Sequence, residues 1–129
     1  MKNTNRIPQG SILRRIQFYF RMLSKSSSQY LFATDLELNI VMVSLNMIQE
    51  FGLPGQIFPN MDEKWIPLIH PDDKQAFIDN MATIKNTEER THDMKYRVRN
   101  IDGNYIWIHC RGQIAVDKKI IIGLTSLLV

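Results

Sequence analysis

Several groups of side chains in this 129-residue sequence have types and spacings that invite chemistry. His70-Pro71-Asp72-Asp73 sets an imidazole beside two carboxylates, the ingredients of a metal or acid–base site. No second acidic motif joins it at useful spacing. A helix start accounts for the same residues more simply: proline suits a first turn, and carboxylates there complement the helix dipole. Cys110 is the one thiol. It cannot form an internal disulfide, and no Cys/His spacing matches a zinc site. It alternates with Ile106, Ile108 and Ile114, which suits a small buried hydrophobe better than a nucleophile. His92 falls just before an expected strand and His109 within one, so both are assigned packing or surface roles. Lys95, Arg97 and Arg99 share one strand face, read as solvated with cross-strand ion pairs. An anion contact or docking surface is the alternative. Tyr105 and Trp107 lie on a face that needs cover. No catalytic residue and no metal ligand is assigned.

The elements that must carry these residues follow from periodicity. Residues 1–10 read as a polar tail. Residues 11–24 read as an amphipathic helix, with Ile12, Ile16, Phe20 and Leu23 on one side, Arg14, Arg15, Gln17 and Arg21 on the other, and Ser11 as N-cap. Residues 24–28 read as a serine linker. Two short strands, residues 30–34 and 40–43, flank the turn residues 35–39 as a hairpin. Residues 45–51 make about two helical turns, with Asn46 and Gln49 resembling a capping box and Gly52 a helix stop. Pro54-Gly55 and Pro59-Asn60 predict irregular chain. The helix opened by Pro71 carries Phe77, Met81 and Ile84 on its apolar face, with Ile78 beside them, and ends at Asn86-Thr87. Three strands follow: one alternating Met94, Tyr96 and Val98 with basic residues, one over residues 105–116 after the Asp102-Gly103 turn, and one over residues 120–129 after Asp117-Lys118-Lys119. Two strands precede the helices and three follow. The expected fold is therefore α+β, a five-stranded antiparallel sheet with helices on one face and an added N-terminal amphipathic helix. Whether Trp107 or Cys110 faces the helices stays open.

Length, composition and charge bound the function. The chain is the size of one domain, with 44% hydrophobic and 22% charged residues. The expected division is an N-terminal segment, 1–28, and a body, 29–129. No apolar run is long enough to span a bilayer, and no signal-peptide pattern opens the chain. With one cysteine, a reducing cytoplasmic setting is expected. Residues 1–29 carry six basic side chains and no acid, and the remainder carries ten basic against thirteen acidic. The net +3 thus belongs to the N-terminal segment, which argues against nucleic-acid binding by the body.

Three elements carry a resemblance: Trp65 with Ile69-His70-Pro71-Asp72-Asp73; Tyr96-Arg97-Val98-Arg99 followed by Asp102-Gly103; and Tyr105-Ile106-Trp107-Ile108 leading to Arg111-Gly112. Asn46 and Phe51-Gly52 agree with them. In this order the layout resembles a PAS domain with a C-terminal PAC motif over about residues 29–126. It departs from the pattern after Gly123, where Leu127 replaces the usual end of an Asp-Ile-Thr, and in its short glycine-free turn at 117–119.

The resemblance implies a non-catalytic sensory and dimerisation domain controlling a signalling output such as a diguanylate cyclase or histidine kinase, linked covalently or separate. It also implies that a small-molecule ligand, if one is bound, sits between sheet and helices, over Ile106, Ile108 and Cys110 and under Phe77 and Met81. Flavin-binding relatives use a helical Asn-Cys-Arg-like motif and haem-binding ones a histidine on the long helix; this sequence has neither, so no cofactor is expected. A homodimer is expected through Ile12, Ile16, Phe20 and Leu23, with the helix leaning on Tyr105 and Trp107. The alternative is a basic amphipathic-helix module that binds nucleic acid or an anionic membrane surface.

Overall fold

Asp35 Oδ1 accepts hydrogen bonds from the backbone N–H groups of Glu37 (3.0 Å) and Leu38 (2.9 Å), and Asn39 adopts a left-handed conformation (φ 54). These local devices close the hairpin between β1 (Tyr30–Asp35) and β2 (Ile40–Val43). The computed structural model describes residues 12–23 and 29–128, except 116 and 118; within the first helix it describes the side chains of residues 14–18 and 20. The tail at 1–10, Ser11 as N-cap, the linker at 24–28 and the side chains of Ile12 and Leu23 lie outside the described residues.

The first helix, α1, spans Ile12–Leu23. After β2 comes α2 (Leu45–Phe51), which starts behind Ser44. The capping box expected of Asn46 and Gln49 does not form. Asn46 is committed elsewhere: its Oδ1 accepts from the Ser44 hydroxyl and its Nδ2 donates to the Gln29 carbonyl. Gly52 ends α2 in the left-handed region (φ 65) and donates its N–H to Ile48. The stretch expected to be irregular contains a short strand, β3 (Ile57–Pro59), paired with β2. The sheet therefore has six strands rather than five. Pro59 is tolerated because β3 is an edge strand, where a missing donor breaks no inner ladder. Then follow α3 (Met61–Lys64), a 3₁₀ turn (Ile66–Leu68), α4 (Pro71–Asn86), β4 (Thr91–Arg99), β5 (Tyr105–Ala115) and β6 (Ile120–Leu127). The strand order is β3-β2-β1-β6-β5-β4, with antiparallel pairing throughout.

The two ends of α4 are tied to the sheet. At its start, His70 Nδ1 accepts the Asp72 N–H (3.0 Å) as the expected cap. Asp73 then reaches the edge strand β4, accepting the backbone N–H of Arg97 (2.9 Å) and both arms of its guanidinium (2.9 and 3.0 Å). Arg97 also lies over the Trp107 ring at 4.9 Å. Hydrogen bonding to Arg97 holds the Asp73 carboxyl below the usual carboxylate range. The Arg97 position is thus a bidentate anchor rather than a solvated charge. At the other end, Lys119 Nζ donates to the last carbonyls of the helix, Ile84 (3.1 Å) and Thr87 (2.5 Å).

The sheet is covered on its inner face and, at β1 and β2, on its outer face. Helices α2 and α4 and Trp65 pack on the inner face against Tyr30, Phe32, Val41, Val43, Tyr96, Val98, Ile108 and Cys110. The outer face at β1 and β2 meets α1 through Ile16, Phe20, Leu31, Ala33, Ile40, Met42 and Ile120. Phe77 and Ile84 are buried as expected, but Ile78 is exposed, one residue round the helix from the contact.

One rung crosses four strands on the inner face: Phe32 pairs with Gly123, Gly123 with Gly112, and Gly112 with His92. The two glycines leave a trough over which the Phe32 and His92 rings approach edge to face, centroids 6.2 Å apart. A Cβ at Gly123 would overlap the Arg111 carbonyl oxygen and lie 2.7 Å from Gly112 Cα and 2.8 Å from Phe32 Cζ. A Cβ at Gly55 would have nothing nearer than 3.9 Å. Gly123→Ala is expected to lower stability by about 3 kcal/mol or more, since backbone itself must move. Gly55→Ala should stay within about 0.5 kcal/mol. Urea denaturation of the two variants measures both; similar midpoints would contradict the trough.

Candidate functional site

A small cavity of about 40 Å³ lies between the sheet and the helices, with Phe32 and His92, the two ends of the glycine rung, in its wall. Its walls are Phe32, Thr34, Ile121 and Thr125 from β1 and β6, His92, Tyr96 and Cys110 from β4 and β5, Met47 from α2, and Phe77 and Met81 from α4; Val41, Val43, Phe58, Met61 and Trp65 complete it. Only Met61 and Met81 among these are half-buried; the rest are buried. By volume it holds a few water molecules, not a porphyrin or an isoalloxazine ring.

Polar groups in this wall are arranged in two sets. The first is a relay: Trp65 Nε1–H donates to Tyr96 Oη (3.2 Å), which lies 3.4 Å from Cys110 Sγ, which lies 3.1 Å from Thr125 Oγ1. Burial pushes the Tyr96 phenol well above its ordinary range and raises the Cys110 thiol. Cys110 is thus a protonated relay member and not an activated thiolate. The second set is His92, whose Nδ1 lies 2.8 Å from Asn80 Oδ1 on α4. Burial lowers its pKa to about 4, against a smaller opposing pull from Asp93.

Of the residues singled out from sequence, Phe77, Met81 and Cys110 line the cavity. Ile108 is fully buried and Ile106 half-buried in the same core, but neither lines it, because the cavity lies towards the glycine rung beyond Cys110. Ile16 and Phe20 are buried on the chain's own sheet. That seat takes both side chains out of the homodimer seam expected of them. It also takes from α1 the apolar face an interfacial membrane helix would need. The contact expected between α1 and Tyr105 or Trp107 is not what covers those rings: Tyr105 packs on His70, Trp107 lies under Arg97, and both stay exposed. His109 Nε2 pairs with Asp93 Oδ1 (2.7 Å) on the same outer face. From the sequence, His92 and Tyr96 read only as packing, surface or strand residues, and Thr34 and Thr125 are not singled out; none is placed in a cavity wall, where all four stand. Carrying the alternation of Met94, Tyr96 and Val98 back by two residues would have placed His92 on the inner face.

Among the described residues, no group of three or more His, Cys, Asp or Glu side chains is arranged to hold a metal ion, and no helix is long and apolar enough to cross a membrane.

A family model described as the PAS fold matches residues 40–122, well over half of the sequence. The chain belongs to the PAS family. Solved structures agree in fold. A sensory box histidine kinase/response regulator from Burkholderia thailandensis superposes with a TM-score of 0.63 at 20% identity, covering 84% of this chain and 83% of that one. The N-terminal domain of a diguanylate cyclase with PAS/PAC sensor from Marinobacter aquaeolei gives 0.66 at 15% identity, covering 78% and 94%. A domain of a putative light and redox sensing histidine kinase from Haloarcula marismortui gives 0.59 at 18% identity, covering 90% and 99%. No curated protein matches the sequence.

Two measurements check the site. Phe77→Ala, which empties a buried ring position, is expected to cost about 3–5 kcal/mol; a loss under about 1 kcal/mol would mean the helix face is not packed as described. Between pH 6.5 and about 4 the unfolded chain binds a proton at His92 that the folded chain refuses. Stability should therefore fall as pH falls through that window, by about 2–3 kcal/mol, and His92→Phe should flatten the slope. Urea midpoints at three pH values in the window read this directly.

Proposed function

We propose that this chain is a non-catalytic sensory and dimerisation domain that regulates a signalling output, a diguanylate cyclase or a histidine kinase, linked to it or separate. The observation that carries the sensory part is the cavity walled by three methionines, flexible side chains that can re-pack around a small ligand. Residues 29–129 form the sensor body in this reading, and 1–28 an appended segment. The setting is the cytoplasm, where Cys110 stays reduced.

The dimer surface in this reading is the outer face of β5 and β6. Tyr105, Trp107, Ile122 and Leu124 are all exposed there. A groove runs beside α1 between Phe20, Leu31, Arg111, Ile122 and Leu124. This replaces a seam built from Ile16 and Phe20, which are spent within the chain. Apolar groups in such number on one face favour a partner copy.

Light scattering of the full chain across a dilution series should show a dimer that dissociates on dilution. Leu124→Glu combined with Trp107→Glu should give a monomer with unchanged circular dichroism. A wild-type chain that is monomeric at every concentration, or a double variant as dimeric as the wild type, would overturn the dimer assignment.

A further inference from the structure

We infer that the cavity takes a small neutral molecule with an apolar body and a single hydroxyl, of about phenol size, and that His92 Nε2 accepts the hydrogen bond of that hydroxyl. The inference rests on the reading of the cavity as a sensory site and adds the chemistry of what enters it.

The argument is an account of donors and acceptors. An amide oxygen only accepts, so the Asn80 contact places the proton of His92 on Nδ1. That leaves Nε2 with a lone pair and no proton. His92 is 3% exposed and lines the cavity, and among the described residues Nε2 has no partner. A buried acceptor without a donor carries a desolvation cost that an incoming O–H removes. The relay of Trp65, Tyr96, Cys110 and Thr125 is satisfied internally, so it does not compete for the same hydroxyl. Thr34, buried in the opposite wall, also has no hydrogen-bond partner for its hydroxyl among the described residues, and it can donate to the same ligand oxygen. A hydroxyl satisfies both roles, whereas an N–H satisfies one.

Charge and size narrow the class. No lining side chain is a carboxylate, an ammonium or a guanidinium, so a charged ligand would be buried unpaired. His92 itself is held neutral by burial. The present volume is below what an aromatic ring needs, so the ring must displace side chains. Met61 on α3 and Met81 on α4 are the half-buried ones and the way in.

The test uses the whole chain with nitrogen-15-labelled histidine, titrated with phenol, anisole and toluene and followed by NMR. Anisole keeps the oxygen and loses the donor. The expected result is that phenol alone shifts the His92 Nε2 resonance while Nδ1 stays protonated, a readout that needs no variant. In His92→Phe the affinity ratio of phenol to toluene should fall about tenfold, the worth of one hydrogen bond. Asn80→Leu, which frees the tautomer, should lower the same ratio. If toluene and anisole bind as phenol does and Nε2 is unmoved, the hydroxyl recognition is wrong while the cavity remains a ligand site. If none of the three binds and Nε2 reports only water, the sensory reading of the cavity fails with it.

Discussion

Every residue of β1 is buried, and the rest of the domain is arranged around that demand. Tyr30 and Phe32 point to one layer, Leu31 and Ala33 to the other. A strand that is apolar on both sides must sit inside the sheet and have cover above and below. Its two neighbours, β2 and β6, come from opposite ends of the chain, so pairing with both is what closes the sheet. Ser44 holds the junction: it donates its N–H to Leu31 and accepts the Leu31 N–H on its hydroxyl. With β1 central, β5 and β4 extend to one side and β3 to the other, and the inner face is wide enough for α2 and α4 to lie across it.

The glycine rung gives this inner face its local depth. Where Gly112 and Gly123 pair, the core loses two side chains, and the rings of Phe32 and His92 lean in from the flanking strands. Neighbouring backbone and the Phe32 ring fill the space over Gly123, so no larger side chain fits there. Polar atoms gather around the cavity: the imidazole at one side, the hydroxyls of Thr34 and Thr125 at the other, and the thiol between. A solid hydrophobic core has no use for such a ring of hydrogen-bonding groups, each of which costs free energy to bury.

Much of this was legible in the sequence because local signals and global fold agree. Pro71 with its carboxylates opened α4 where the dipole rule puts it, and alternation separated the two faces of β5, of which the one with Ile108 and Cys110 proves to be the inner. Gly52 and Gly103 marked two positive-φ turns. Three things were misread or missed for physical reasons. The strand at Ile57–Pro59 is too short for periodicity and carries a proline. The seat of α1 was signalled by the unbroken apolar runs of β1 and β2, which demand cover on both faces, but the eye-catching aromatics Tyr105 and Trp107 drew the expectation elsewhere. The cavity wall draws on side chains from β1, β4, β5 and β6 together, and strand register is not written in any single segment.

Lys119 gives α4 and β6 a common fastening. The residue sits in the left-handed region at the reversal before β6, and its ammonium grips the carbonyls that end the helix. Its own carbonyl accepts the Leu36 N–H at the far end of β1. The long helix is therefore hinged at its Lys119 end and pinned at its Asp73 end, like a bar bolted at two corners of the sheet. A bar held in that way resists lifting off as a whole and yields most easily in its middle turns, where Phe77, Asn80 and Met81 stand over the cavity. The two fastenings reach β4 through Arg97 and the residue just before β6 through Lys119, so the helix spans the strands on either side of β5.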